Sequence, residues 1–319
     1  MNIVTIIVNY RTADLTIDCL RSLEPIANEN PGFSVELIDG GSADDSPEQL
    51  SQAIEKHHWQ SWVHFTQLSD NKGFAGSNNV GIQAALDRSN RPDAIWLLNP
   101  DTIVRTGALN SLVETLHADA SIGLVGSRLE HRDGEVQIST FRYPTILSEL
   151  VDSVRCGVIS RLFAAYEVSS DPPAQACAVP WVAGASLIIK TEVFDEIGLL
   201  DDGYFMYFEE VDFCHRAESA GYSCWYQPES RVVHLVGQSS GVTGQSATLR
   251  RRPAYWFDSR RRYFLSKHGV FKTAVADAVW LCGRVTWNVR AVLQRKPAED
   301  PPRLWRDFLS HSIFVRGTG

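Results

Sequence analysis

Four short strand-like segments, the first an apolar run rich in β-branched residues, each leading into a helix-patterned stretch, constrain this chain most. They are IVTIIVN at 3–9, FSVELID at 33–39, the segment 62–68 and AIWLL at 94–98. Runs this short and this apolar suit strands buried on both faces of a parallel sheet. Between them, helices are predicted after Thr12 or Asp14, over 46–57, over 75–88 and over 106–118. In the first helix Leu15, Cys19, Leu20 and Leu23 share one face, and Pro25 is expected to end it. Strand alternating with helix predicts an α/β fold with a doubly wound, mostly parallel central sheet flanked by helices. Ligands of such sheets collect beyond the carboxyl ends of the strands. Asn9-Tyr10, Asp39, Asn71 to Asn79 and Asn99-Pro100-Asp101 all fall there.

From about 122 the pattern is more mixed. A hairpin is expected at Asp133-Gly134, an irregular stretch to 175, a strand at 181–189, a helix at 208–220 and then two short strands. Residues 236–249 are rich in Gly, Ser and Thr and read as a flexible loop. The remainder is helical, with Trp, Phe and Arg interleaved. This divides the chain into a sheet-bearing domain over 1–240, itself changing character near 120, and a loop with a helical C-terminal extension over 241–319.

The 319 residues are 44% hydrophobic and 21% charged, enough to bury a real core. A net charge of -8 argues against general nucleic-acid binding, which needs a dominant positive field. Basic residues gather late, at Arg250 to Arg252 and Arg260 to Arg262, where an anion is the natural partner. The six cysteines show no C-x-x-C spacing, which points to reduced thiols in a cytosolic protein. The opening segment lacks a basic n-region, and no uncharged apolar stretch reaches transmembrane length. A cytoplasmic protein, soluble or peripheral on the inner face of the membrane, is expected.

Several side chains carry potential chemistry. Asp101, ending LLNPD at a strand's carboxyl edge, suits a divalent cation bridging a diphosphate; Asn-Pro-Asp is also a common turn. Glu209, Glu210 and Asp212 lie at a helix start, where the dipole favours negative charge. Successive helical residues point about 100° apart, so Glu209 and Glu210 cannot face one ligand alike. Asp212 and Arg216, four apart, suit an ion pair. Flanking aromatics raise a carboxylate's pKa, as a general base requires. His234 follows the strand-like RVVHL and suits either a metal or a structural bond. Asp39 suits a pyrimidine N–H or a turn cap. In DNKGFAGSNNVG, Gly73 and Gly76 permit close backbone approach at a helix start. That segment lacks both the P-loop Lys-Ser pair and the Rossmann glycine spacing.

In order, TIIVNYR, LIDGGSADDS, DNKGFAGSNNVGI, IWLLNPDT, the long segment from Trp181 to Tyr222 and VVHLVGQSSG resemble the inverting glycosyltransferase family 2, of GT-A fold. The nearest subgroup is similar to rhamnosyltransferase-like enzymes of bacterial polysaccharide synthesis. The resemblance spans about 3–240 and implies that 1–240 is the catalytic domain, 1–120 binding the nucleotide sugar and 121–240 supplying the acceptor side and the base, with the following roles. Asp39 binds the nucleotide base, and Asn9, Asn71, Gly73, Asn78 and Asn99 contribute to the donor pocket. Asp101 matches the last acid of the D-x-D-type motif and His234 a metal-ligating histidine, with Mg²⁺ or Mn²⁺ as cofactor. Glu210 matches the second acid of the E-D motif, the usual base, with Glu209 the alternative. Asn99 stands for the first acid of the metal motif, Glu210 for the usual aspartate and Gly40 for the usual asparagine. The implied substrates are a dTDP- or UDP-sugar, rhamnose first, and a saccharide or lipid-linked acceptor. A catalytically silent nucleotide-sugar-binding or scaffold protein of this fold is the alternative; a sugar-phosphate nucleotidyltransferase would need a basic glycine-rich loop that IIVNYRTADL lacks. Loop 236–249 would close as a lid bringing Arg250 or Arg251 to the diphosphate. The tail helices suit an anionic membrane surface, the catalytic domain or a homodimer contact.

Overall fold

The computed structural model describes residues 1–235, 250–296 and 300–318, so the loop expected over 236–249 and its lid role lie outside the described residues. The first half alternates β1 (Ile3–Asn9), α1 (Ala13–Glu29), β2 (Phe33–Asp39), α2 (Ser46–Lys56), β3 (Val63–Gln67), α3 (Gly73–Leu86) and β4 (Ala94–Leu98). There follow β5 (Thr102–Val104), α4 (Ala108–Ala118), β6 (Ile122–Glu130), β7 (Thr140–Phe141), α5 (Ile146–Val154) and α6 (Gly157–Leu162). Next come β8 (Ser169–Ser170), β9 (Cys177–Ala178), β10 (Trp181–Val182), β11 (Ser186–Lys190), α7 (Thr191–Ile197), α8 (Glu209–Ser219) and β12 (Ser223–His234). Helices α9 (Ala254–Leu293), α10 (Leu304–His311) and α11 (Ile313–Arg316) complete the described chain.

The main sheet runs β3-β2-β1-β4-β11-β6-β12-β5, with β9 attached to β12. Parallel pairing joins β3, β2, β1 and β4 and recurs between β6 and β12. Strand β11 lies antiparallel between β4 and β6, so the whole sheet is mixed. Alternate side chains feed two cores. Ile3, Ile7, Leu37 and Trp96 join the core that also holds Leu20, Leu50 and Leu112 of α1, α2 and α4. Val4, Ile6, Ile95 and Leu97 join the core holding Ile82, Phe194 and Phe213 of α3, α7 and α8. Burial on both faces is why these strands read as unbroken apolar runs.

Four local expectations change. Helix α1 continues through Pro25 to Glu29. Ile26 and Ala27 pack on the core and the Asn30 N–H bonds the Ile26 carbonyl, so the turns beyond the proline are held in place. The strand expected over 181–189 divides into β10 and β11, which belong to different sheets. The two short strands after α8 are one strand, β12, with a register shift between Gln227 and Arg231, where Pro228 has no ladder N–H to offer. The stretch expected to be irregular contains α5, on which α9 packs.

Helix α9 bends at Gly269, whose φ is +74°. Closest approach to α5 falls at Gly283, where a Cβ would stand 2.1 Å from Ser153 Oγ. Arg260, almost fully buried on α9, binds Glu149 on α5 at 2.6 Å and Asp277 at 2.7 Å. The tail is thus bonded to the catalytic body. No described helix is long and apolar enough to cross a membrane.

Candidate active site

Two cavities meet at the N-terminus of α8. The smaller, of about 250 Å³, opens at the carboxyl ends of β1 and β4. Its walls include Asn71, Gly73, Asn99, Asp101, Glu209, Glu210 and His234, brought together from four separate segments. The larger, of about 760 Å³, runs between α5 and the start of α9 and includes Trp181, Tyr207, Glu210, Arg252 and Trp256. Among the described residues, only Tyr207 and Glu210 line both.

Asp101 is 1% exposed, and neither carboxylate oxygen has a hydrogen-bond partner among the described residues. Its strand-end position is secured by its own carbonyl, which accepts the Leu235 N–H at 2.9 Å. Antiparallel pairing of β12 with β5 brings His234 opposite Thr102 and its Nε2 to 3.5 Å from Asp101 Oδ1. Asn99 Nδ2 lies 3.4 Å from the same ring nitrogen, while Asn99 Oδ1 is buried without a partner. A buried, unpaired carboxylate is costly unless a cation meets it. Asp101 and His234 therefore fit a divalent ion. Among the described residues no group of three or more His, Cys, Asp or Glu could hold one, so such an ion must draw its remaining ligands from elsewhere, as sugar-diphosphate oxygens would provide.

Tyr207 and Phe208 both adopt left-handed backbone, at φ 71° and 72°, directly before Glu209. Two successive non-glycine residues there cost about 1–2 kcal/mol each. This sharp entry sets the two glutamates on different sides of the helix start. Glu209 is 4% exposed and faces the smaller cavity alone. Burial pushes its carboxyl well above the ordinary range, and the neighbouring Glu210 adds to the rise. Burial also raises Glu210, against which backbone N–H groups of Glu210 and Gly184 act. One oxygen of each glutamate is buried without a partner. Asp212 pairs with Arg216 at 2.7 Å, as the four-residue spacing indicates, and with Lys267 at 3.0 Å.

Other expected donor-site residues stand further back. Asp39 is fully buried; its oxygens accept from Asn9 Nδ2 at 2.7 Å and the Ser42 N–H at 2.8 Å. Asn9 is likewise buried, its Oδ1 accepting from Thr12 and Thr16. Asn78 lies behind the cavity wall and donates to the Phe74 carbonyl. Asn71 caps α3 by accepting the Gly73 N–H at 2.8 Å. The glycine at 73 serves a protein contact: a Cβ would lie 2.1 Å from the Phe205 carbonyl oxygen, which accepts the Phe74 N–H. A Cβ at Gly76 would lie 2.9 Å from Lys72 Cβ. Arg251 is committed to a two-bond pair with Asp307 on α10, so it does not reach the smaller cavity; Arg250 is exposed.

Some lining residues carried no named sequence expectation, among them Met206, Tyr207 and the Ala183-Gly184-Ala185 link. The link has a legible signal, small residues interrupting an apolar run. There the chain leaves β10 for β11 and makes room for Glu210, whose Cβ would be 3.7 Å from a Cβ at Gly184.

The chain resembles known proteins in both sequence and fold. It is 31% identical over 169 residues to a low-salt glycan biosynthesis hexosyltransferase, Agl10, of Haloferax volcanii, covering 52% of this chain and 50% of that protein. An N-acetylglucosaminyl-diphospho-decaprenol L-rhamnosyltransferase of Mycobacterium tuberculosis is 26% identical over 224 residues, 68% of this chain and 70% of that one. Among solved structures, a mannosyltransferase of Pyrobaculum calidifontis in complex with GDP-Man and Mn²⁺ superposes with a TM-score of 0.59 at 13% identity, covering 99% of this chain and 85% of that one. GalNAc-T7 with UDP, GalNAc and Mn²⁺ superposes with a TM-score of 0.57 at 16% identity, covering 98% and 54%. These superpositions establish a GT-A fold. The sequence pattern described as Glycosyl transferase family 2 matches residues 4–171, more than half of the chain, and the protein belongs to that family.

Proposed function

We propose that the protein transfers a sugar, with inversion, from a nucleoside-diphosphate donor in the smaller cavity to an acceptor hydroxyl presented from the larger one. The observation that carries this reading is the place of Glu210, among the described residues the one carboxylate lining both cavities. That place also favours Glu210 over Glu209 as the base. The acceptor oxygen attacks the anomeric carbon as Glu210 takes its proton, and the bond from that carbon to the diphosphate oxygen breaks on the opposite face. A divalent cation, Mg²⁺ or Mn²⁺, held by Asp101 and His234 would stabilise the charge developing on the leaving diphosphate. Residues 1–120 form the donor side, where Asn71 and Asn99 line the cavity. Asp39 reaches a base only by sharing an oxygen already bonded to Asn9 or Ser42.

Rhamnose is the first sugar to test, since the mycobacterial relative is named for its transfer. The dTDP sugar precedes the UDP sugars. Glu210→Gln keeps the shape but cannot accept the proton; transfer should fall by at least about a hundredfold with donor affinity unchanged. Normal turnover by that variant defeats the assignment.

A further inference from the structure

The loop that leads into the two glutamates is held from one side by α9. Tyr255, Ser259, Arg262 and Tyr263 are spaced to share one helical face, and that face meets the loop at several points. Arg262 grips Asp201 through two bonds of 2.8 Å. Gly203 lies so close that a Cβ there would stand 2.1 Å from Arg262 Cζ. The Tyr255 ring is 5.2 Å from that of Phe205 and 6.1 Å from that of Tyr207, and Tyr263 is 5.6 Å from Phe208. Among these contacts Ser259, only 3% exposed, donates its hydroxyl to the Met206 carbonyl at 3.0 Å. A serine within a helix commonly returns its hydroxyl to the carbonyl four residues back; this one reaches across to another element. Both partners lie beyond residue 171, where the family pattern ends.

The carbonyl that Ser259 holds belongs to the peptide joining Met206 to Tyr207. Tyr207 is the first of the two left-handed residues before Glu209. Turning this peptide over exchanges ψ at 206 against φ at 207, the change that relates type I and type II turns, and brings Tyr207 to negative φ. Left-handed strain on a non-glycine residue favours that reversal. The reversal carries the carbonyl away from Ser259 and breaks their bond. The strain and the bond are of the same order in free energy, so the bond weighs directly on which way the peptide faces. Met206 lines the smaller cavity, and Tyr207 lines both cavities beside Glu210, so reversal rebuilds the wall around the glutamate.

We infer that Ser259 is a positioning residue for Glu210: its hydroxyl holds the Met206–Tyr207 peptide in the orientation that delivers the glutamate to the junction of the two cavities. Through this bond the C-terminal extension sets the geometry of the site. The inference rests on the proposed role of Glu210 as base, so its test includes a reading that needs no turnover.

The full chain and its Ser259→Ala variant are compared by amide hydrogen exchange and by sugar transfer under saturating donor. Exchange over residues 204–212 should quicken about threefold to fivefold, the worth of one net hydrogen bond, while that over α5 stays as it was. The kcat should fall by a similar factor, about threefold to fivefold, as fewer molecules hold the competent loop. Tyr207→Gly separates positioning from packing. Glycine takes the left-handed region freely, so in that background Ser259→Ala should lower kcat by no more than about twofold. An equal fall in both backgrounds overturns the inference, as does unchanged exchange over 204–212 in Ser259→Ala. Quickened exchange with unchanged kcat overturns it too, since the held peptide then has no bearing on Glu210. If the unsubstituted protein transfers no sugar from any nucleotide donor, the proposed function fails by itself, and exchange then decides the Ser259 bond alone.

Discussion

His234 Nε2 stands 3.5 Å from Asp101 Oδ1, although 133 positions separate the two in the chain (234 minus 101). The pairing of β12 with β5 creates this proximity, and no other described group hydrogen-bonds either oxygen of Asp101. Asp101→Asn keeps the size but removes the charge. Mn²⁺-dependent nucleotide-sugar binding should weaken by at least about tenfold, the worth of one charge-assisted contact. Chelation of the metal should produce the same loss in the unsubstituted protein. Calorimetric titration with and without EDTA checks both, and equal affinities in all cases would remove Asp101 from donor binding.

Glu209 is buried beside another glutamate, and its raised carboxyl fixes the sign of a pH effect. With a folded pKa above the unfolded one, the folded state binds the extra proton, so this group's contribution falls as pH rises from the unfolded to the folded value. Glu209→Gln removes the buried charge. Its melting temperature should exceed that of the unsubstituted protein at pH 8, by about 1 kcal/mol in stability, and the gap should close toward pH 4. A gap that widens on acidification contradicts the reasoning.

Glu210 is raised by the same burial, so a base at this position is inactivated earlier on acidification than a free carboxylate. The rate under saturating donor should drop below an apparent pKa above the ordinary glutamate value of about 4.3. A pH–rate profile read against the circular dichroism signal separates this from unfolding.

Gly73→Ala introduces a Cβ 2.1 Å from the Phe205 carbonyl at a φ of +73°. The loop 198–208 must retreat from α3, and with it Met206 and Tyr207 at the cavity wall. A loss of about 1–3 kcal/mol is expected, with weakened donor binding, both measurable by thermal melts with and without nucleotide.

Arg260→Ala leaves Glu149 and Asp277 buried and facing each other without their common partner. Removing one member of a buried ionic group costs about 3–5 kcal/mol. Denaturant unfolding should register that loss, and the α5–α9 contact should loosen, exposing amides of both helices to hydrogen exchange.

The first four strands were legible in the sequence to within a residue at each end; β1 and β4 stand out because strands buried on both faces read as apolar runs, while β3, at the sheet edge and largely exposed, was placed by the alternation of strand with helix. The same alternation identified the layered α/β class. The ordered motifs singled out Asp101, Glu210 and His234, which the structure brings to one cavity. Their likeness to a family, more than their local chemistry, carried that expectation: Asn-Pro-Asp alone is a common turn.

Local pattern was silent on long-range contacts. Asp39 and Asn9 both read as ligand groups, yet their polar atoms are spent on each other and on Ser42, Thr12 and Thr16. Gly73 read as room for a ligand, and its space is taken by Phe205. The larger cavity lies between α5 and α9, more than a hundred residues apart, with Glu149 and Arg260 as its fastening. A helical period tells which face of a segment is apolar; only packing decides which other face covers it. For the same reason the difference in placement between Glu209 and Glu210, one residue and 100° apart on a helix, was not legible locally: Glu209 lines the smaller cavity, and Glu210 lines both.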